Sequence, residues 1–272
     1  MRCSACGLVF VGYRFDATQQ KALYDDADGY RAFAEAERST PEVHSRHREW
    51  TAQIRQQFHL SHEGSAELKP RLLDIGCGAG EFLAVARERG FEVRGQDIST
   101  VAAQLATQWN GIRVEIIELS EVAESAAEVV TLIGLLEHVI DPKDVLQQAH
   151  RILVSQGLLF IYTPVWGTYD TIATFVARMS GNRFTRPADR RINQWHLQIF
   201  PKSTLLQLLR KLGFETLSCE VVCEYNLPVK EYLNSLGITQ ASVQSMVAKS
   251  VRTLINYNLF FRNNMRILAL KR

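Results

Sequence analysis

Leu72-Leu73-Asp74-Ile75-Gly76-Cys77-Gly78-Ala79-Gly80-Glu81-Phe82 is the stretch on which the fold turns. A short apolar run that halts at a glycine is the pattern of a strand buried on both faces. The alternate glycines allow a tight turn and a close approach of backbone N–H groups to a ligand. From Glu81 onward Phe82, Leu83, Val85 and Ala86 recur at helical spacing, and Gly90 closes the helix. The glycine spacing is G-x-G-x-G. A dinucleotide fingerprint needs G-x-G-x-x-G, and its third glycine position is taken here by Glu81. No Gly-Lys-Ser/Thr follows, so a phosphate-cradling loop is disfavoured as well. A carboxylate at the start of that helix repels pyrophosphate and leaves room for a ligand that carries no phosphate.

Outward from this turn, strands alternate with helices. Phe91 to Gly95 leads a second strand into Asp97, and Ser99 caps a helix from Val101 to Trp109. Ile112 to Ile117 and Val129 to Leu136 read as the third and fourth strands. Asp141 and Pro142 open a helix to about Leu153. Leu158 to Tyr162 is a fifth strand that stops at Pro164. A helix from Ser203 to Leu212 precedes a sixth strand, Phe214 to Val222. Val229 to about Ile255 reads as helical, and Met265 to Leu270 as a final strand. This rhythm predicts an α/β fold with a doubly wound parallel sheet. Residues 165–200 exceed an ordinary connection and are expected to form a helical lid insertion. Residues 16–69, rich in polar and charged side chains, predict two or three helices that end in a polar linker near Ser61–Lys69. A division into 1–69 and 70–272 follows.

The composition bounds the answer without naming a chemistry. The 272 residues are 46% hydrophobic and 22% charged, enough to bury a core and too apolar for disorder. Thirty-one basic against 29 acidic side chains leave a net charge of +2, which supplies no electrostatic case for nucleic acid. The five cysteines are scattered and odd in number, so no disulfide framework is expected, and a reducing cytoplasm is the simplest compartment. The longest uncharged stretch, Ile152 to Tyr169, holds too many polar residues for a membrane span. Cys3-Ser4-Ala5-Cys6 has the spacing of a zinc knuckle. A structural zinc needs four ligands and no second C-x-x-C exists, so no metal ligands are assigned.

Asp97 ends the second strand, the position at which such sheets meet a ribose, and its carboxylate can accept two hydroxyl hydrogen bonds. With Asp74-x-Gly76-x-Gly78-x-Gly80 ahead of Asp97 and Leu136-Glu137-His138-Val139 further on, the chain resembles the class I S-adenosylmethionine-dependent methyltransferases over about residues 71–213. The resemblance implies a mostly parallel, seven-stranded, Rossmann-like sheet whose last strand is antiparallel, with residues 223–262 covering an acceptor pocket. It implies S-adenosyl-L-methionine as cofactor. Asp74, Gly76, Cys77, Gly78 and Gly80 then border its methionine end, and Asp97 holds the ribose. Ile98 packs near the adenine, Glu118 and Leu119 touch the adenine, and Leu135 lies close by. Residues 3–10 are similar to the second half of a Cys-rich ribbon with which some relatives begin.

The acceptor side is sparser in signal. Glu137 and His138 are placed at the end of the fourth strand, and His138 is a candidate general base. His196, beside Trp195, is a second candidate, as base or orienting group. Arg178, Arg183, Arg186, Arg190 and Arg191 form a possible anion-binding cluster, and Tyr225, Tyr232, Tyr257, Phe260 and Phe261 an aromatic C-terminal stripe. The leading expectation is methyl transfer to a small molecule: O-methylation of a sugar, phenol or secondary metabolite. The alternatives are a non-catalytic partner protein on the same fold and an NAD(P)-linked oxidoreductase. Nucleic-acid methylation is disfavoured, because Gly134-Leu135-Leu136-Glu137 stands where an Asn/Asp-Pro-Pro-aromatic signature would. Neither an integral membrane contact nor a nucleic-acid partner is expected.

Overall fold

The computed structural model describes residues 1–12, 16–25, 27–62, 69–181, 183, 191, 196–224, 233–234, 237–256 and 262–272. In chain order the elements are β1 (Val9–Phe10), α1 (Ala17–Tyr24), α2 (Ala27–Arg38), α3 (Pro41–Ser61), β2 (Arg71–Ile75), α4 (Glu81–Glu88), β3 (Glu92–Gln96), α5 (Thr100–Asn110), β4 (Val114–Glu115), β5 (Ala127–Ile133), α6 (Pro142–Ile152), β6 (Leu153–Pro164), α7 (Thr168–Met179), β7 (Gln198–Ile199), α8 (Lys202–Lys211), β8 (Phe214–Val222), α9 (Ala241–Asn256) and β9 (Asn264–Lys271). Seven strands form one sheet in the order β4-β3-β2-β5-β6-β9-β8. β9 runs antiparallel between β6 and β8, and the other pairs are parallel. The predicted doubly wound, mostly parallel sheet is therefore present.

Strand periodicity sorts the core onto the two faces of the sheet. Leu73 and Ile75, Val130 and Leu132, Leu159 and Ile161 pack with Val145, Leu146 and Ala149 of α6 and Leu205 and Leu209 of α8. Leu72, Val129, Leu158, Phe160 and Tyr162 face the other way, against Phe82, Leu83 and Ala86 of α4 and Ala103 and Ala106 of α5. Trp50, Ile54 and Phe58 of α3 join this second core beside Leu268 and Leu270 of β9. The third N-terminal helix thus covers the sheet rather than hanging from it.

The local signals act as read. The Ser99 hydroxyl accepts the Ala102 N–H at 3.2 Å, and Asp141 Oδ1 accepts from Lys143 and Asp144 at 3.0 and 3.1 Å. Four expectations need correction. The fourth strand ends at Ile133, because Gly134 takes a left-handed φ of 61° and turns the chain. The third strand is only Val114–Glu115, since it pairs on the sheet edge with β3 alone. β6 begins five residues early, at Leu153, through an irregularity in its pairing with β5 near Gln156, whose φ is 62°. The last helix, expected to run unbroken from Val229 to about Ile255, is interrupted at Gly237, whose φ is 85°: Leu233 and Asn234 are helical ahead of it, Ala241–Asn256 follow it, and Val229 lies outside the described residues.

Candidate active site

The strand order reverses about β2, with β3 on one side and β5 on the other, so the carboxyl ends of these strands open a crevice. A cavity of about 1200 Å³ lies there. That exceeds the roughly 300–1,000 Å³ of an ordinary single-ligand cleft, and leaves space for a cofactor and a second molecule. Asp74, Gly76, Cys77, Gly78, Asp97, Ile98, Glu118, Leu119, Leu135, His138 and His196 all line it. Gly80 does not. It takes a φ of 76° at the start of α4 and faces Ala106 and Ile112, where it lets α4 and α5 approach.

Asp97 joins the two halves of the loop. Its Oδ2 accepts the Gly78 N–H at 2.9 Å and its Oδ1 accepts the Ser99 N–H at 2.9 Å. A carboxylate offers about four lone-pair sites, so each oxygen keeps one for a ligand hydroxyl. Burial holds the Asp97 carboxyl above its ordinary pKa, partly offset by these N–H donors. Asp74 is buried on β2, and its Oδ1 accepts the hydroxyl of Thr131, its register partner on β5, at 2.5 Å. Burial pushes the Asp74 carboxyl up to about 7. Gly76 has a φ of 69°, and a Cβ there would lie 2.7 Å from the Leu135 side chain, so only glycine lets that leucine close over the loop. A Cβ on Gly78 would lie 2.7 Å from the Tyr30 hydroxyl of α2. Glu81, half-buried, lies 3.7 Å from Arg38 and accepts from Asn110 at 3.2 Å.

Glu137, His138 and His196 line the same cavity. They come together because the turn after β5 is tied to the strand that ends the insertion. Leu197 N–H donates to Glu137 O at 2.7 Å, and Gln198 Nε2 donates to Leu136 O at 2.8 Å and Val139 O at 2.6 Å. The two imidazole rings pack edge to face with centroids 5.0 Å apart. Glu137 is buried; its Oε2 accepts the Thr163 hydroxyl at 2.9 Å and its Oε1 lies 3.8 Å from His138 Nε2. Burial raises the Glu137 carboxyl, and burial next to His138 lowers the His196 imidazole. The ligand atoms of the three residues lie within 4.8 Å of one another. The sequence reading assigned no metal ligands, and this set is one that could hold a cation.

Of the described members of the arginine cluster, Arg191 alone lines the cavity. Arg178 and Arg183 are exposed. Arg191 is committed to the fold: it pairs with Asp170 at 2.7 Å and donates to Val165 O and Asn263 O at 2.8 and 3.1 Å. Arg186, Arg190, Trp195 and the stripe Tyr225, Tyr232, Tyr257, Phe260 and Phe261 lie outside the described residues. Cys3 is half-buried and Cys6 exposed, and among the described residues they gather no third ligand. Cys219 and Cys223 are half-buried, with thiols raised by burial.

Sequence reasoning missed the N-terminal contribution. Tyr24 and Tyr30 line the cavity, and Tyr24 O accepts the Ser99 hydroxyl at 2.9 Å. It also missed Arg46, Trp50, Tyr162 and Glu224, which line the cavity from α3, β6 and the chain just after β8. No local pattern marks these residues, which are distant in the chain. Thr131 had a signal, since strand alternation puts it on the face of β5 that carries Val129.

The donor set tests which cofactor fits. The loop presents a carboxylate for hydroxyls and glycines for close approach, with Glu81 where a phosphate would sit. That suits an adenosyl amino acid, and the arrangement defines a class I S-adenosylmethionine-dependent methyltransferase fold. The family described as a methyltransferase domain matches residues 43–219, and the chain belongs to it. The ubiquinone biosynthesis O-methyltransferase of Pseudomonas aeruginosa is 34% identical over 103 residues, covering 34% of this chain and 44% of that protein. The Haemophilus ducreyi protein of the same name is 34% identical over 105 residues, with the same shares. The chain thus spans under half the length of these curated relatives. A SAM-dependent methyltransferase from Archaeoglobus fulgidus has the same fold, with a TM-score of 0.54 and 21% identity over 89% of this chain and 99% of its own. So does the Burkholderia thailandensis 1,6-didemethyltoxoflavin-N1-methyltransferase with bound 1,6-didemethyltoxoflavin and S-adenosylhomocysteine. Its TM-score is 0.56, with 16% identity over 99% and 96% of the two chains. No helix among the described residues is long and apolar enough to cross a membrane.

Proposed function

We propose that this chain binds S-adenosyl-L-methionine and methylates an oxygen of a small-molecule acceptor, a sugar, phenol or secondary metabolite. The observation that carries the reading is one cavity lined both by the Asp97-anchored glycine loop and by the Glu137–His138–His196 group. The cofactor, when bound, supplies a methyl carbon already activated by its sulfonium, so little covalent chemistry is left to the protein. Asp97 accepts the ribose hydroxyls. Gly76, Cys77 and Gly78 border the methionine end with Asp74 beneath them. Ile98, Glu118, Leu119 and Leu135 enclose the base. The acceptor must be aligned and its hydroxyl must lose a proton. The His138 imidazole receives it, with the Glu137 carboxylate 3.8 Å from its Nε2 to favour the imidazolium, and His196 orients the acceptor. Functionally we divide the chain into a cap, residues 1–69, which brings Tyr24 and Tyr30 over the loop, and a methyl-transfer unit, residues 70–272. With five free cysteines, it suits a reducing cytoplasm.

The test is a thermal shift with S-adenosylhomocysteine against NADH, then label transfer from methyl-labelled S-adenosylmethionine to a panel of hydroxylated acceptors. A ligand at about 100 times its Kd adds roughly 2.7 kcal/mol, on the order of 5–10 °C for a chain of this size. A shift with NADH alone would overturn the reading. Binding of the homocysteine compound without turnover on any acceptor would favour the non-catalytic partner protein.

A further inference from the structure

Glu137, His138 and His196 present one carboxylate and two imidazoles to the same point of the cavity, with ligand atoms within 4.8 Å of one another. Two imidazoles and one carboxylate suit a borderline divalent ion of the zinc, cobalt or manganese type better than magnesium or calcium, which prefer oxygen throughout. From this arrangement we propose that the three residues bind one divalent transition-metal ion on the acceptor side of the cavity. The proposal rests on the acceptor site described above and deepens it.

Three features make the cluster a built site. The first is the fastening of its two halves. His196 lies 58 positions beyond His138, yet Leu197 and Gln198 hydrogen-bond to the backbone of the turn carrying Glu137 and His138. The two segments that carry the ligands are thus fastened by Leu197 N–H and the Gln198 side chain, independently of any occupant. The second is the outer shell. The Thr163 hydroxyl, itself buried, donates to Glu137 Oε2 and orients the carboxylate so that Oε1 points toward His138. His196 Nδ1 lies 3.1 Å from Arg191 O. A carbonyl only accepts, so this nitrogen carries hydrogen and Nε2 keeps the lone pair that a metal needs. The third is the cost of the carboxylate. Glu137 is 3% exposed, and an ionised carboxylate that deep calls for a cation near it.

Metal–ligand bonds of about 2.0–2.2 Å draw ligand atoms closer than 4.8 Å. His138, with 22% of its side chain exposed, is the residue with room to swing in. Three protein ligands leave at least one coordination position open toward the cavity, the arrangement of catalytic rather than structural sites. An acceptor oxygen entering there would form a metal–oxygen bond and release its proton to water, with no change of oxidation state. The ion then does by Lewis acidity what the imidazole of His138 does when metal is absent.

The test uses the full-length, tag-free chain, stripped with a chelator and dialysed. Titration with Co²⁺ should give a visible ligand-field absorption that saturates at one ion per chain, and Zn²⁺ should displace it. His196→Ala and Glu137→Gln should each weaken Co²⁺ binding by tenfold or more while S-adenosylhomocysteine binding, followed by calorimetry, stays within about twofold. That second measurement shows that the variants are folded. Asp97→Ala should do the reverse, losing the homocysteine compound and keeping the cobalt band. No saturable cobalt band, or a band unchanged in both His196→Ala and Glu137→Gln, overturns the metal site. A cobalt site in a chain that fails to bind S-adenosylhomocysteine would leave the metal site standing and overturn the methyltransferase reading instead.

Discussion

The Asp97 carboxylate accepts the main-chain N–H of Gly78, nineteen residues earlier, at 2.9 Å. The glycine loop and the acidic strand end are therefore one device rather than two neighbouring motifs. The hydrogen bond holds the loop against the end of β3, and the second oxygen holds the turn at Ser99. What remains of the carboxylate faces the cavity.

Substitution of Asp97 by alanine removes the acceptor for two hydroxyls and leaves the Gly78 and Ser99 N–H groups without their partner. A hydrogen bond to a charged group contributes about 1.5–3 kcal/mol, so S-adenosylhomocysteine affinity should fall by roughly a hundredfold or more. The melting temperature of the ligand-free protein should fall as well. Calorimetry on both proteins checks the first and a thermal melt the second. Equal affinity in the two would show that Asp97 is not a ribose ligand.

His47 sets a pH dependence of stability. It is buried between Trp50 and Phe82, with Arg46 and His44 as charged neighbours on its own helix, and burial pushes its pKa down to about 3 from 6.5. The unfolded chain takes up a proton first as pH falls, so stability is full above about pH 6.5 and drains away toward pH 3. The slope is about 1.4 kcal/mol per pH unit. Between about pH 7.5 and 5.5 the wild type should lose on the order of 1.4 kcal/mol more than His47→Leu. Urea unfolding at the two pH values measures the difference, and parallel losses in both proteins would contradict the assignment.

Trp50 couples the N-terminal helices to the sheet. It is 1% exposed, with its ring 4.6 Å from Tyr162 and 5.5 Å from Phe160 between centroids. Trp50→Ala should cost about 3–5 kcal/mol in a single cooperative unfolding transition. A cost below about 1 kcal/mol, or two separate transitions, would mean that α3 folds apart from the sheet.

Much of this protein could be read from single positions. Leu72 to Gly80 announces a buried strand, a turn that needs glycine and a following helix, because each is specified by near neighbours in the chain. Ser99 and Asp141 announce helix starts for the same reason, and the spacing from Gly76 to Asp97 is the length of one helix and one strand. These local rules carried the sheet and the glycine loop with Asp97 that lines the cavity. They did not carry the end of the fourth strand, which Gly134 cuts short by a turn that the apolar run conceals.

The meeting of Glu137, His138 and His196 was decided by tertiary structure. Glu137 and His138 could be singled out on their own stretch, and so could His196 on its own. Nothing local says that Gln198 clamps the backbone beside Glu137 or that Thr163 on β6 orients its carboxylate. Likewise no periodicity in α3 reveals that Trp50 shares a core with Tyr162 or that Arg46 meets Glu224 at 3.8 Å. Those contacts join residues 26 to 178 positions apart, and only the closing of the sheet brings them within reach. By itself the sequence determined the strand–helix order and the glycine–aspartate device, which depend on backbone conformation and neighbouring side chains. Packing decided which distant side chains share the cavity, because their meeting depends on how the layers dock, which no short stretch of chain encodes.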